Sequence, residues 1–317
     1  MMDCSLNEFY RSLNLTKQGV HDMLNRLMRT NALNCQVLKM AKEIRIDHPS
    51  MGIREMYYKI KPQGIGRDKF EYLCLEEEMK VKRSKNFRKT TNSLGVTRFP
   101  NLIDGLTINS MNQVWQSDIT YYELKGRFYY ITLIQDAFTK RIVGHNCSKR
   151  LTTEQTTLPS LKKALKTRKN QSLAGLIFHS DGGGQYYDKE FKSLTGTHHI
   201  INSMGETCYE NAMAESLNGV IKNKYLKYFK IDSFQMLEKQ LDRVVKLYNS
   251  DKPHSSLNRL TPLEFENIHC NKKRKKAILK SELDLKKQIN KTKANEKYQV
   301  KTLKRNQKSI FKNKVLT

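Results

Sequence analysis

The chain has 317 residues, enough for one large or two to three small domains with a packed core. Its 58 Lys and Arg outnumber 31 Asp and Glu, and the formal net charge of +27 implies a polyanionic partner. No stretch approaches the roughly 18 unbroken apolar residues of a membrane span, and Met1-Met-Asp-Cys-Ser lacks a secretory pattern. Nucleic acid is therefore the expected partner, in a cytoplasmic protein that sits with the nucleoid when bound to DNA and has no membrane role. The six cysteines form no C-x-x-C pair and the eight histidines no zinc spacing, so reduced, structural cysteines are expected.

In chain order, Leu6, Phe9, Tyr10 and Leu13 recur at helical spacing. Thr16 then caps a second helix with Val20, Leu24, Leu27 and Met28 inward, and a third follows with Val37, Met40, Ala41 and Ile44 inward. Residues 1–47 read as a helix-turn-helix or, equally, as a generic helical hairpin. Residues 48–80 repeat that logic. A helix with Ile53, Met56, Tyr57 and Ile60 stops at Pro62 and Gly64, and a new one runs from Arg67 to Met79. Arg67 and Lys69, in the first turn of the latter, are candidate DNA contacts. Residues 81–109 form a basic linker.

From Asn112 the texture is that of strands: Val114–Tyr122, a hairpin turn at Lys125-Gly126, Phe128–Ile134 and Arg141–Cys147. A helix over 152–167, a strand over Leu173–Phe178, a helix over 189–194 and a strand over 199–202 follow. A longer helix opens with a Thr207–Glu210 capping box, and another spans 233–250. Three antiparallel strands followed by alternating helix and strand describe an α/β core with a mixed sheet over 110–268. A Lys-rich tail occupies 269–317.

His179-Ser-Asp-Gly-Gly-Gly-Gln-Tyr186 carries the chemistry. A carboxylate at a strand tip, backed by backbone without side chains, presents a hard oxygen ligand beside a bulky phosphate. Asp118 lies in the first strand, after the single Trp, and Glu215 lies on the long helix. That helix shows Asn211, Glu215, Asn218 and Lys222 on one stripe. Two aspartates on neighbouring strands and a helical glutamate can converge on a pair of Mg²⁺ ions, which clamp both oxygens of an in-line phosphoryl displacement.

Four motifs occur in an order that resembles the DDE transposases encoded by the second reading frame of bacterial insertion sequences. They are Asn112-Gln-Val-Trp-Gln-Ser-Asp118, His179-Ser-Asp181-x-Gly-x-Gln185-Tyr186, Tyr209-Glu-Asn211-Ala-x-Ala-Glu215, and Tyr248-Asn249 with Pro253-His254-Ser-Ser-Leu257. The resemblance implies a catalytic core like that of retroviral integrase, on a ribonuclease-H-like mixed five-stranded sheet with flanking helices. It makes Asp118, Asp181 and Glu215 the metal-binding catalytic triad, with Mg²⁺ as cofactor and Mn²⁺ as substitute. It places Gln185, Asn211 and Lys222 at double-stranded DNA, both element ends and target, and it implies a homo-oligomer in the active complex. The implied reaction is phosphodiester hydrolysis at the element end, then attack of the freed 3′-hydroxyl on a second phosphodiester. The interval from Asp181 to Glu215 is a little shorter than is common in the family, with the shortfall between Met204 and Cys208. A non-catalytic DNA-binding regulator derived from a transposase is the alternative. A nuclease of the same fold would leave both helical modules idle.

Overall fold

The computed structural model describes residues 6–81, 99–205 and 208–271. Its contacts divide the chain into one unit spanning Met1–Leu263 and another spanning Glu264–Thr317. In the second unit residues 264–271 are helical, and the Lys-rich stretch beyond them lies outside the described residues. Most of the basic linker, residues 82–98, lies outside them too.

The first helix, α1 (Leu6–Ser12), is followed by Thr16, whose hydroxyl accepts from the Gly19 amide at 3.0 Å and caps α2 (Lys17–Asp47). No Gly or Pro lies between Val20 and Asp47, and α2 runs unbroken for 31 residues. The third helix expected from the sequence is thus the second half of α2, and the expected short second helix does not end. Val37 and Ala41 are buried, whereas Leu24, Leu27 and Met28, expected inward, are exposed, as is Met40. Helices α3 (Ile53–Ile60) and α4 (Arg67–Glu76) fall where Pro62 and Gly66 predict them, although α4 stops short of Met79. Met56, Phe70 and Cys74 join Val37 and Ala41 in one apolar cluster.

Five strands make the sheet: β1 (Val114–Leu124), β2 (Arg127–Asp136), β3 (Ile142–Ser148), β4 (Ile177–Ser180) and β5 (Ile201–Met204). Their order is β3-β2-β1-β4-β5, with β1–β2–β3 antiparallel and β4 and β5 parallel to β1. This is the mixed five-stranded sheet expected. Leu124 pairs with Arg127 across Lys125 (φ 50) and Gly126 (φ 73), a two-residue loop whose positive φ values match the twist of the hairpin. Strand β4 starts later than hydrophobicity suggests. Leu173 and Leu176 are buried in a turn at Gly175 (φ 81), and the hydrogen-bonded strand is Ile177–Ser180. Strand β5 likewise begins after His199, which turns at φ 53.

Helices α5 (Thr157–Thr167) and α6 (Lys189–Thr197) cover one sheet face through Trp115, Ile134, Leu161, Phe178 and Phe191. On the other face α7 (Ala212–Lys224) and α8 (Phe234–Ser250) pack Leu217, Ile221, Leu241 and Val245 on Ile131 and Leu133. The Tyr248-Asn249 pair serves the fold. The Asn249 side chain accepts from the Ile142 amide and donates to its carbonyl, both at 2.9 Å, and Gln135 donates to the Tyr248 hydroxyl at 2.9 Å. Asn249→Ala orphans both buried Ile142 groups. It is expected to cost about 2 kcal/mol in urea unfolding, and an unchanged midpoint would remove that role.

The helical region is joined to the sheet by a buried imidazole. The His48 ring takes the Tyr225 hydroxyl at Nδ1 (2.8 Å) and donates from Nε2 to Asp251 (2.6 Å), while Lys59 also meets Asp251. Burial lowers the His48 pKa, the Asp251 carboxylate opposing it, and the neutral ring with one N–H satisfies both partners. Arg243 adds an ion pair to Asp47 at 2.6 Å.

Candidate active site

Strands β1 and β4 run parallel with Gln116 beside His179. The pairing ends there; Asp118 lies two residues further along β1 and Asp181 just past the end of β4, near enough for the Asp181 charge to act on Asp118 although the two are 63 positions apart (181 − 118). The Asp118 side chain accepts from the Ile119 amide through Oδ1 (2.9 Å) and from the Asn218 amide through Oδ2 (2.8 Å). Asp181 Oδ1 accepts from the Gly183 amide at 3.2 Å. Of the three glycines, Gly182 is crowded by the end of the Met204 side chain, 3.0 Å from an added Cβ, and Gly183 by the site itself. A Cβ at Gly183 would lie 3.1 Å from that carboxylate oxygen and 3.2 Å from Gln185 Oε1, whereas Gly184 faces open space. The Tyr186 ring is buried beneath the aspartates, its hydroxyl 2.8 Å from the Ser117 hydroxyl.

Helix α7 lies along β1. Asn211 donates to the Ser117 carbonyl (3.0 Å), Asn218 to Asp118, and Lys222 to the Thr120 hydroxyl (3.1 Å). The polar stripe read from the sequence therefore packs against the strand. Of the two expected DNA contacts on this stripe, Asn211 is 2% exposed and Lys222 half-buried. Glu215, at the stripe's edge, is exposed. The Thr207–Glu210 capping box is not what starts α7. Thr207 lies outside the described residues, the helix begins at Ala212, and Glu210 accepts from Asn101 at 2.6 Å. Of the expected short loop between Met204 and Cys208, residues 206–207 are likewise outside them. Gln185 is half-buried, donating to the Leu151 carbonyl at 3.3 Å. Arg67 and Lys69 belong to α4, whose Phe70, Leu73 and Cys74 pack with the other N-terminal helices rather than with the sheet. Arg67 is engaged by Asp68 (2.8 Å), and Lys69 lies 5.0 Å over the Tyr72 ring.

Burial pushes the Asp118 carboxyl up to about 7, with the Asp181 charge adding to it and Glu215 contributing least. Burial raises Asp181 as well, although its side chain reaches solvent. Two neighbouring hard carboxylates suit a divalent cation such as Mg²⁺. The expected three-way convergence is incomplete, however: among the described residues no group of three His, Cys, Asp or Glu side chains is placed to hold a metal ion. Glu215, on the same stripe one turn before Asn218, is exposed, and its charge still acts on Asp118.

The raised Asp118 pKa fixes the sign of a pH effect. Its stabilising contribution is complete below the unfolded value near 4 and is lost as pH rises through about 7, where ionisation is costly in the folded state. In metal-free buffer Asp118→Asn is therefore expected to stabilise the protein at pH 8 by about 2 kcal/mol, with little gain at pH 4. Thermal melts at the two pH values decide it, and equal shifts would mean that Asp118 is not held under electrostatic stress.

Two integrase core domain families match this chain, one over residues 109–208 and the other over 197–262. Across 238 residues it is 30% identical to the insertion element IS600 uncharacterized 31 kDa protein of Shigella sonnei, a match covering 72% of this chain and 86% of that protein. A putative transposase InsK for insertion sequence element IS150 of Escherichia coli (strain K12) is 27% identical over 203 residues, 62% of this chain and 68% of that protein. The chain belongs to the insertion-sequence transposases with an integrase core. The transposase also resembles the HTLV-2 integrase catalytic core domain solved with magnesium, at 20% identity and a TM-score of 0.40, over 49% of this chain and 95% of that one. Among the described residues of the transposase no helix is long and apolar enough to cross a membrane.

Asn218 is the residue whose part in the site the sequence concealed. Its place on the α7 stripe was legible from spacing. That the stripe faces Asp118 was not, because the pairing joins residues 100 positions apart.

Proposed function

We propose that this transposase cleaves and joins DNA, with Asp118, Asp181 and Glu215 as its catalytic carboxylates. The observation that supports the reading is that the Asp181 charge acts on the buried Asp118 carboxyl, the two residues lying just beyond the paired segments of the parallel strands β1 and β4. A bound Mg²⁺ or Mn²⁺ would polarise the phosphodiester and lower the pKa of an attacking water. Asp118 and Asp181 would hold it, and Glu215 would complete the set from α7. The Gly183 amide orients Asp181 and the Ile119 amide orients Asp118. Tyr186 and Ser117, both buried, hydrogen-bond to each other beside Asp118. The substrate is double-stranded DNA, the element end first and the target second, in keeping with the charge of +27. The active form is a homo-oligomer.

The helical residues 1–80 serve DNA binding in this reading, and the core at 110–268 serves the chemistry. The test is cleavage of a labelled duplex carrying the element's end, with Mg²⁺ present. The expected product ends in a free 3′-hydroxyl and is then joined to a second duplex. Sound binding without cleavage would leave a transposase-derived DNA-binding regulator as the better reading.

A further inference from the structure

Asn218 sits one turn along α7 from Glu215, 5% exposed, with its side-chain nitrogen 2.8 Å from Asp118 Oδ2. Its own amide oxygen is buried and has no hydrogen-bond partner. Rotating the amide would leave the nitrogen without its acceptor and press a carbonyl against a carboxylate, so the side chain is held one way round. On the other side, Asp118 Oδ1 takes the Ile119 amide at 2.9 Å. Each carboxylate oxygen thus has one donor, which stops the group from turning and leaves the remaining lone pairs free. The helix does not depend on this contact for its position, since Asn211 and Lys222 bind β1 on either side of it.

We propose that Asn218 is a positioning residue whose amide locks the Asp118 carboxylate in the orientation that receives a divalent cation. The bond accounts for a buried asparagine that leaves half of its own hydrogen-bonding capacity unmet, a poor arrangement for packing alone. Groups that orient a ligating carboxylate characteristically alter metal affinity by about 10- to 100-fold when removed. The proposal rests on the reading that Asp118 and Asp181 hold a cation, and its test separates the two.

The full-length chain is titrated with Tb³⁺, a hard-cation probe. Emission is sensitised by Trp115, the single tryptophan, buried three residues before Asp118 on β1. Asp181→Asn is expected to abolish the signal. Asn218→Ala is expected to weaken Tb³⁺ binding about tenfold, with the far-UV spectrum unchanged. Asn218→Leu, which fills the volume without the donor, is expected to match it and covers a failure of the Ala variant to fold. In strand transfer, both variants are expected to need about tenfold more Mg²⁺ for half the maximal rate while recovering most of that maximum. If Asp181→Asn abolishes the signal and the Asn218 variants bind Tb³⁺ as wild type does, the positioning role is overturned. Affinity lost only in proportion to the unfolded fraction overturns it too. Undiminished binding in Asp181→Asn would instead overturn the cation reading on which the proposal stands.

Discussion

Replacing Asp181 by Asn is expected to lower strand transfer in Mg²⁺ by about 1,000-fold or more while leaving affinity for an element-end duplex within about tenfold. Asp118→Asn and Glu215→Gln belong with it. Each variant is nearly isosteric and removes a negative charge without creating a cavity. In Asp118→Asn the remaining side-chain oxygen still accepts from one of the two donors, Ile119 or Asn218, so the side chain keeps an anchor in its place. What is lost is the charge that would hold and tune a cation, and such groups act as a unit. The Asp118→Asn/Asp181→Asn double variant is therefore expected to be scarcely slower than either single one. Independent, multiplying losses would show that the aspartates serve separate steps. Binding lost in step with activity would point to a folding role, and unchanged activity in Asp181→Asn would end the carboxylate reading outright.

The second large effect is on stability. Gly144, midway along β3, faces α5, where an added Cβ would lie 2.3 Å from the Ser160 carbonyl oxygen and 2.9 Å from the Ala164 Cβ. A backbone oxygen at that range cannot be accommodated by a rotamer change. Either α5 moves off the sheet or β3 bends away from β2. Gly144→Ala is expected to cost at least about 3 kcal/mol, and larger side chains to prevent folding. Urea denaturation followed by Trp115 fluorescence measures it, since that ring is buried beneath the same helices. A variant within about 0.5 kcal/mol of wild type would show that α5 does not approach this closely. The approach is made possible by small residues on both sides: Gly144 on the strand, Ser160 and Ala164 on the helix.

These two sites differ in how far they could be read in advance. Asp181 was legible because a strand-ending carboxylate followed by glycines is a local pattern, and Asp118 because it sits in a run of strand-forming residues. Gly144 was not, because its reason lies on α5, and nothing in the neighbouring Ile142-Val143-Gly144-His145 announces a helix overhead. The same holds for Asn249, which completes the hydrogen bonding of Ile142 from 107 positions away. The helical region misled for a different reason. Apolar spacing identified Leu24, Leu27 and Met28 as one face of a helix, correctly, but periodicity does not say whether that face is covered. It also says nothing of continuity: with no breaker after Val20, the expected second and third helices become one rod. The antiparallel first three strands, the hairpin at Lys125-Gly126 and the α8 face were all readable, since alternation, turn chemistry and period act within a few residues.

The buried joint of His48, Tyr225, Asp251 and Lys59 bears on how such an enzyme measures distance. A helical region attached only by a basic linker would behave as a leash, and the span between DNA gripped there and the aspartates would vary with the slack. Bolted through an imidazole to α7 and to the end of α8, it is a ruler. If, as proposed, the helical region grips DNA and Asp118 and Asp181 act on it, the spacing between the recognised sequence and the attacked phosphodiester is set by the skeleton of the protein. On this account the element end is cut at a fixed number of base pairs from its recognition sequence, whatever the linker's length.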